Sequence, residues 1–316
     1  MTGIRAKDSF AGFHPVINLL YFVAVIGLAM FFTHPVCLAI SLTCSITYSV
    51  YINGKKAVRF NLIYMLPMFI IAALINPAFN HQGGTILSYL PSGNPLTLES
   101  ILYGVAAASM LVTVISWFSC FNAVMTSDKF VYLFGRVIPA LSLVLSMALR
   151  FVPRFKAQIK TISNAQKCVG RDVSSVKLLR KTKLGVKVVS AGNLFKKIKH
   201  GIKILSILVT WALENAIETA DSMKGRGYGL PGRTAFSIFR FDRRDAYALI
   251  FILGCSAVVI AGAAMGAYYF RYFPTIKGDW TGVTIVIFAA YFALGVFPVA
   301  VNIKEDAVWN RLDARA

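Results

Sequence analysis

The chain has 316 residues, 57% of them hydrophobic and only 15% charged, with a mean hydropathy of +0.66. Soluble domains carry roughly a quarter charged residues. A length that would otherwise suggest two soluble domains therefore reads as a polytopic membrane protein, and most soluble enzymes and nucleic-acid binders are excluded despite a net charge of +20.

Arg5 and Lys7 precede the first apolar run, and no small-residue cleavage site follows it, so the first span is expected to be retained. Runs long enough to cross a bilayer occur at 16–32, 36–52, 62–76, 100–120, 246–270 and 282–301, with a seventh at 131–149. The segments between them differ sharply in basic content. Lys and Arg number two in 1–15, none in 33–35, three in 53–61, none in 77–99, twenty-three in 126–245, two in 271–281 and three in 302–316. Basic residues mark the cytoplasmic side, so both termini are expected inside and the chain re-enters the cytoplasm after four spans, near Asp128–Lys129. If 131–149 also crossed, the very basic stretch from Arg150 onward would lie outside. That run also carries Arg136, and charge within lipid costs a few kcal/mol even on lenient scales. It is expected to be an apolar helix at the cytoplasmic face that does not cross.

The expected fold is all-α. It is a polytopic membrane protein with about six spans and a cytoplasmic helical domain between the fourth and fifth. The boundaries fall at 1–127, 128–245 and 246–316, the last comprising two membrane helices and a short cytoplasmic tail.

Within 128–245 seven acids face twenty-three bases, a net charge of +16. Arg171 to Lys203 is polar, basic and glycine-bearing, too broken for one helix. Upstream, Phe151–Lys167 has a helical pattern that Pro153 is expected to kink or restart. Downstream, Leu205, Leu208, Val209, Ala212, Ala216, Ala220 and Met223 form a helical stripe. That stripe ends in Lys224-Gly225-Arg226-Gly227-Tyr228-Gly229-Leu230-Pro231-Gly232. Gly-Arg-Gly fits a glycine cap with a basic residue at the negative end of the helix dipole. It also fits a docking tip, where small flanks admit a partner's backbone and Arg226 forks onto carboxylates. The three letters do not choose between them.

Much chemistry is missing. No phosphate-binding loop occurs, Gly54-Lys55-Lys56 being the nearest fragment, so the chain is not expected to hydrolyse ATP itself. His14, His34, His81 and His200 are scattered, and Cys37, Cys44, Cys120, Cys168 and Cys255 show no C-x-x-C spacing. No metal, cofactor or disulfide is expected. Cys37 and Cys44, seven apart on one helix, are separated by a rise of about 10 Å and cannot bridge. The spans hold almost no central ionisable residues, which argues against transport through this chain's own core. Glu214, Glu218 and Asp221 share a helix face, and pairing with neighbouring Lys and Arg is the expected role. The basic domain is also expected to grip anionic lipid headgroups in part.

Three runs carry a resemblance: Ala148-Leu149-Arg150-Phe151-Val152-Pro153; Ala165-Gln166-Lys167 followed by Gly170-Arg171-Asp172; and Ala216 onward through Ala220-Asp221-Ser222-Met223-Lys224-Gly225-Arg226-Gly227-Tyr228-Gly229, then Gly232-Arg233-Thr234. Over about residues 100–250 the chain resembles the transmembrane T component of energy-coupling factor (ECF) transporters, the EcfT/CbiQ family. The resemblance implies a non-catalytic transport subunit without cofactor. Two Ala-Arg-Gly-type motifs would end two cytoplasmic coupling helices, each inserting an arginine into one of two partner ABC ATPases. The membrane helices would hold a small substrate-binding S component that takes up a vitamin or metal ion. Carried over by position, the second motif falls on Gly225, Arg226 and Gly227, with glycine where alanine is usual. The first falls on Cys168, Val169 and Gly170, so the arginine slot holds valine and Arg171 is the candidate replacement. Arg150, Pro153, Ala165, Gln166 and Tyr228 would support the coupling helices.

Three other readings compete, one of them a membrane-anchored scaffold with no transport role. A conventional ABC importer permease would normally use one short coupling loop in place of about 120 basic residues. A polytopic membrane enzyme acting on lipids would need clustered Asp, His or Glu at the membrane boundary, where only Glu99, Asp128 and Asp279 stand near span ends.

Overall fold

The computed structural model describes residues 8–89, 95–169, 179–181, 187–189, 191–228, 230, 239–266, 270–273, 277–278 and 282–313. The chain divides into two compact units, residues 1–133 with 238–316, and residues 134–237.

The first unit is a bundle of apolar helices: α1 (Pro15–Phe31), α2 (Pro35–Asn53), α3 (Lys55–Phe60), a π-helical stretch Asn61–Met65, α4 (Leu66–Phe79), α5 (Leu98–Val124), α9 (Arg243–Ala264) and α10 (Gly282–Asp313). Among the described residues, five helical stretches are long and apolar enough to cross a membrane: Pro35–Asn53, Lys55–Phe79, Leu98–Val124, Arg243–Ala264 and Gly282–Leu312. The apolar helix Pro15–Phe31, of 17 residues, is shorter. These are the six runs expected from the sequence, and the protein is an all-α, multi-pass membrane protein. The boundaries moved where helical propensity outlasts hydropathy. The third span begins at Lys55 rather than Leu62, and α10 runs on through Lys304 to Asp313.

Two helices begin the same way. His14-Pro15 and His34-Pro35 each place proline at the first turn, where its missing N–H costs nothing. In each pair the histidine Nδ1 accepts a main-chain bond, from Val16 N at 3.4 Å and from Val36 N at 3.2 Å. These two scattered histidines are helix caps. The core centres on fully buried Trp117, whose Nε1 donates to Ser41 Oγ at 3.0 Å. Around it pack Tyr21, Phe22 and Tyr48 in edge or tilted geometries, the arrangements that the ring quadrupoles favour.

One end of this bundle is tied by buried polar groups around residues 8–14. The main-chain N of Phe10 donates to Asn302 Oδ1 at 3.0 Å, Asn302 Nδ2 donates to Asp8 at 2.7 Å, and the Tyr48 hydroxyl donates to the same carboxylate at 3.0 Å. Buried Lys129 donates to the carbonyls of Ala11 and Val124, at 2.6 and 3.0 Å. With the Asn18 amide oriented to suit its neighbours, its oxygen accepts a third bond from Nζ at 2.9 Å and its nitrogen donates to Phe10 O at 3.1 Å. All three ammonium protons are thereby used. Asp242 is the N-cap of α9, and Asp245 closes the capping box and accepts from His14 N at 3.3 Å. Arg244 stacks over the Phe13 ring at 4.3 Å and pairs with Glu305 at 2.8 Å.

Among the described residues three short antiparallel strand pairs occur: β1 (Ile86–Tyr89) with β2 (Pro95–Thr97), β3 (Leu179–Lys181) with β4 (Lys187–Val189), and β5 (Phe270–Arg271) with β6 (Lys277–Gly278).

The apolar run 131–149 is not one helix. Helix α6 (Ser127–Val137) stops before Ile138, and α7 (Pro139–Cys168) starts with proline at its first turn. The Pro139 ring pushes the preceding residue out of the helical region, and Ile138 lies at φ −135°, ψ 88°. Neither α6 nor α7 is among the helices apolar enough to span.

The second unit is built on α7 and α8 (Ala191–Gly225). Phe155 meets Trp211 edge-on at 5.9 Å, Arg154 lies over the same indole at 5.7 Å, and Ile162, Leu208 and Asn215 are buried. Two expectations are refined. Helix α7 runs through Pro153 without restarting, since a proline removes one helical hydrogen bond and the turns on either side keep theirs. The stretch 171–203 is not one helix, holding β3 and β4, but its last part from Ala191 onward already belongs to α8. Leu194, Ile198, Ile202 and Leu205 keep helical spacing, and the lysines between them are good helix formers, so Gly192 and Gly201 are carried at about 1 kcal/mol each.

Candidate coupling site at the ends of the long helices

Helix α8 ends in a tightly specified tip. Gly227 N donates to Lys224 O at 3.0 Å and Tyr228 N donates to Met223 O at 3.0 Å, while Gly227 adopts φ +79°. This paired bonding around a left-handed residue is a Schellman cap, and it satisfies carbonyls that the helix end would otherwise orphan. Gly227 is thus glycine for conformational reasons, and a Cβ there would also press on Leu230 Cδ1 at 3.0 Å. Gly225 is different. A Cβ added there meets nothing within 4 Å, so the space beside it is open. Arg226 stands between the two with an exposed side chain, its main-chain N bonded to Ser222 O and Met223 O at 3.2 Å. Tyr228, 43% exposed, follows directly. The cap reading of Gly-Arg-Gly is therefore right about the backbone, and it leaves the guanidinium presented to solvent on a fixed turn.

Helix α7 ends at Cys168, with Val169 N donating to Ala165 O at 3.2 Å. Val169, in the slot where an arginine is expected, is 68% exposed. Gly170 and Arg171 lie outside the described residues, as does Gly229. Ala165 is exposed on the last turn. The buried Oε1 of half-buried Gln166 finds no hydrogen-bond partner among the described residues. Arg150 and Pro153 lie on exposed positions of the same helix, more than three turns before its end. No cluster of His, Cys, Asp or Glu fit to hold a metal occurs among the described residues.

The helix face that packs is not quite the one the stripe suggested. Leu208 is buried and Ala212 and Met223 are half-buried, whereas Leu205, Val209, Ala216 and Ala220 are exposed. Trp211 and Asn215 supply the packed face instead, a shift of one residue that hydropathy alone does not reveal. Glu214, Glu218 and Asp221 are all exposed, and among the described residues none forms an ion pair. Sequence reasoning also missed Lys129, Asp8, Asn18 and Asn302. Single polar residues at the ends of apolar runs carry no periodic signal, and only tertiary structure brings them together.

These features define a class: a multi-pass α-helical membrane protein carrying long amphipathic helices, one of which presents an arginine on a glycine-capped tip. No family model matches the chain. Individual relatives do. It is 28% identical over 229 residues to the energy-coupling factor transporter transmembrane protein EcfT 1 of Listeria monocytogenes serotype 1/2a, covering 68% of this chain and 76% of that protein. It is 35% identical over 109 residues to EcfT of Lacticaseibacillus paracasei, and 29% identical over 117 residues to EcfT of Lactobacillus helveticus. The chain spans about a third of the length of these last two, 35% and 36%, and 34% and 37% of its own length is matched. Over up to about two thirds of its length the chain is thus similar to EcfT transmembrane proteins, in keeping with the resemblance of its motifs.

Proposed function

We propose that the chain is the transmembrane scaffold subunit of an ECF-type importer in the cell membrane. In this reading two partner ABC ATPases dock on the cytoplasmic helix tips, and their ATP-driven closure moves a small membrane-embedded S component that binds a vitamin or metal ion. The chain itself catalyses nothing. The single observation that carries the reading is Arg226, exposed on a Schellman-capped tip beside the open flank of Gly225. Such a tip costs a partner little ordering entropy on docking, and a guanidinium forks onto a carboxylate in two parallel bonds. A helix of 35 residues reaches about 50 Å, long enough to carry a displacement as a lever. In the same reading residues 128–245 lie in the cytoplasm and Val169 leaves the α7 contact to Arg171.

Purification of the tagged chain from its native membranes tests the proposal. An ATPase pair and one small hydrophobic subunit should co-elute, with ATP turnover confined to preparations that contain the ATPases. ATP turnover by the chain freed of them, or recovery with neither partner, would refute it.

A further inference from the structure

We infer that the N-terminal half of α8 is a binding site for an anionic phospholipid surface. Helix α8 buries one face against α7 through Leu208, Trp211 and Asn215. It carries a second, exposed apolar ridge: Phe195, Ile198, Ile202, Leu205 and Val209 recur at three- and four-residue spacing and are 49–70% exposed. Charge identifies the occupant. Between Asp172 and Glu214 the sequence holds nine basic residues and no acid. Lys199 and Lys203, both exposed, stand one turn apart beside the ridge, and Lys196 precedes Lys199 by three residues in the sequence. Beyond Val209 the sign reverses, as exposed Glu214, Glu218 and Asp221 occupy the flank that the lysines occupied earlier.

An apolar ridge flanked by lysines is the pattern of a helix lying in a lipid interface, apolar side down and cationic side among headgroups. The acids make the second half repel the same surface. A protein groove would need only the ridge, whereas a ridge whose exposed flank is basic over one half and acidic over the other fits an anionic sheet that holds the helix at one end only. The inference does not lean on the coupling assignment, and its test needs no ATPase or second membrane subunit.

The test uses the full chain in nanodiscs of phosphatidylcholine alone or mixed with phosphatidylglycerol. An environment-sensitive fluorophore is attached at Ile202→Cys or at Ile217→Cys, each with Cys168→Ser, and Cys168→Ser alone gives the labelling background. The probe at position 202 should shift to the blue and be quenched by spin-labelled lipid only when phosphatidylglycerol is present. About 0.5 M salt should reverse this, because charges at a surface are then screened within a few ångströms. The probe at 217 should not respond. Replacing Lys196, Lys199 and Lys203 by Gln should lower the docked-to-free ratio about 100-fold, each lysine near an anionic surface being worth roughly a factor of five. Unlabelled wild type should also retain more phosphatidylglycerol than this triple variant in native mass spectrometry. The inference fails if position 202 ignores lipid charge, if 217 responds equally, or if 202 is buried only when a membrane-embedded protein partner is added, whatever the lipid.

Discussion

At Gly225 and Gly227 the same residue type serves two different needs, and substitution separates them. Gly227 holds the left-handed corner of the cap. Gly227→Ala should destabilise the tip by about 1 kcal/mol, seen as faster amide exchange at Tyr228 and Leu230. Gly225 lies within the helix with open space around it. Gly225→Ala should leave the tip intact or slow exchange there, since alanine is favoured over glycine by about 0.5–1 kcal/mol inside a helix. Lys129 is a buried cation whose loss should be costly. Burial pulls its ammonium down to about 8, with Asp8 acting in the opposite sense, and three oxygens hold it in place. Lys129→Met should cost about 3–5 kcal/mol, because those acceptors are left buried and empty, and the variant's melting temperature in detergent should fall accordingly. His34 adds a pH signature. Burial holds its pKa below the usual 6.5, and its Nδ1 must be unprotonated to accept from Val36 N. The unfolded chain then binds the extra proton first, so stability falls as pH drops below about 6.5. His34→Asn, which caps a helix at any pH, should lose less thermal stability than wild type between pH 7 and pH 5.

The helices were legible in unequal degree. The spans could be read because lipid demands unbroken apolar runs, and their ends blurred because helix hydrogen bonding does not stop where hydropathy does, as Lys55 and Asp313 show. Pro139 carried the division of the run 131–149, a stronger signal than the run's overall hydropathy. Helix α8 was half seen. Its C-terminal stop was plain from four glycines and a proline, and its beginning at Ala191 was hidden by lysines and two glycines that a long helix tolerates. The tip was the most readable part of the candidate site, since Gly-Arg-Gly after a helical stripe specifies a cap by local chemistry. The first motif was not, because its arginine slot holds Val169 and its next basic residue, Arg171, lies outside the described residues.

Over the whole molecule, two separable facts carry the account: apolar helices that span, and twenty-three of thirty-three basic residues gathered in 126–245. If that segment faces the cytoplasm, cysteines introduced at positions 140 and 175 should resist an impermeant thiol reagent in sealed cells and react after permeabilisation. Strong external labelling at 175 would invert the topology. The central claim is that Arg226 joins this chain to an ATPase, and the most direct measurement is uptake and ATP turnover by the reconstituted complex carrying Arg226→Ala or Arg226→Lys. A guanidinium forked onto a buried carboxylate predicts a loss of about 2–5 kcal/mol for alanine, seen as weakened assembly or as hydrolysis without uptake. Lysine should rescue poorly, because it lacks the two-pronged contact. Wild-type assembly and transport by Arg226→Ala would contradict the account.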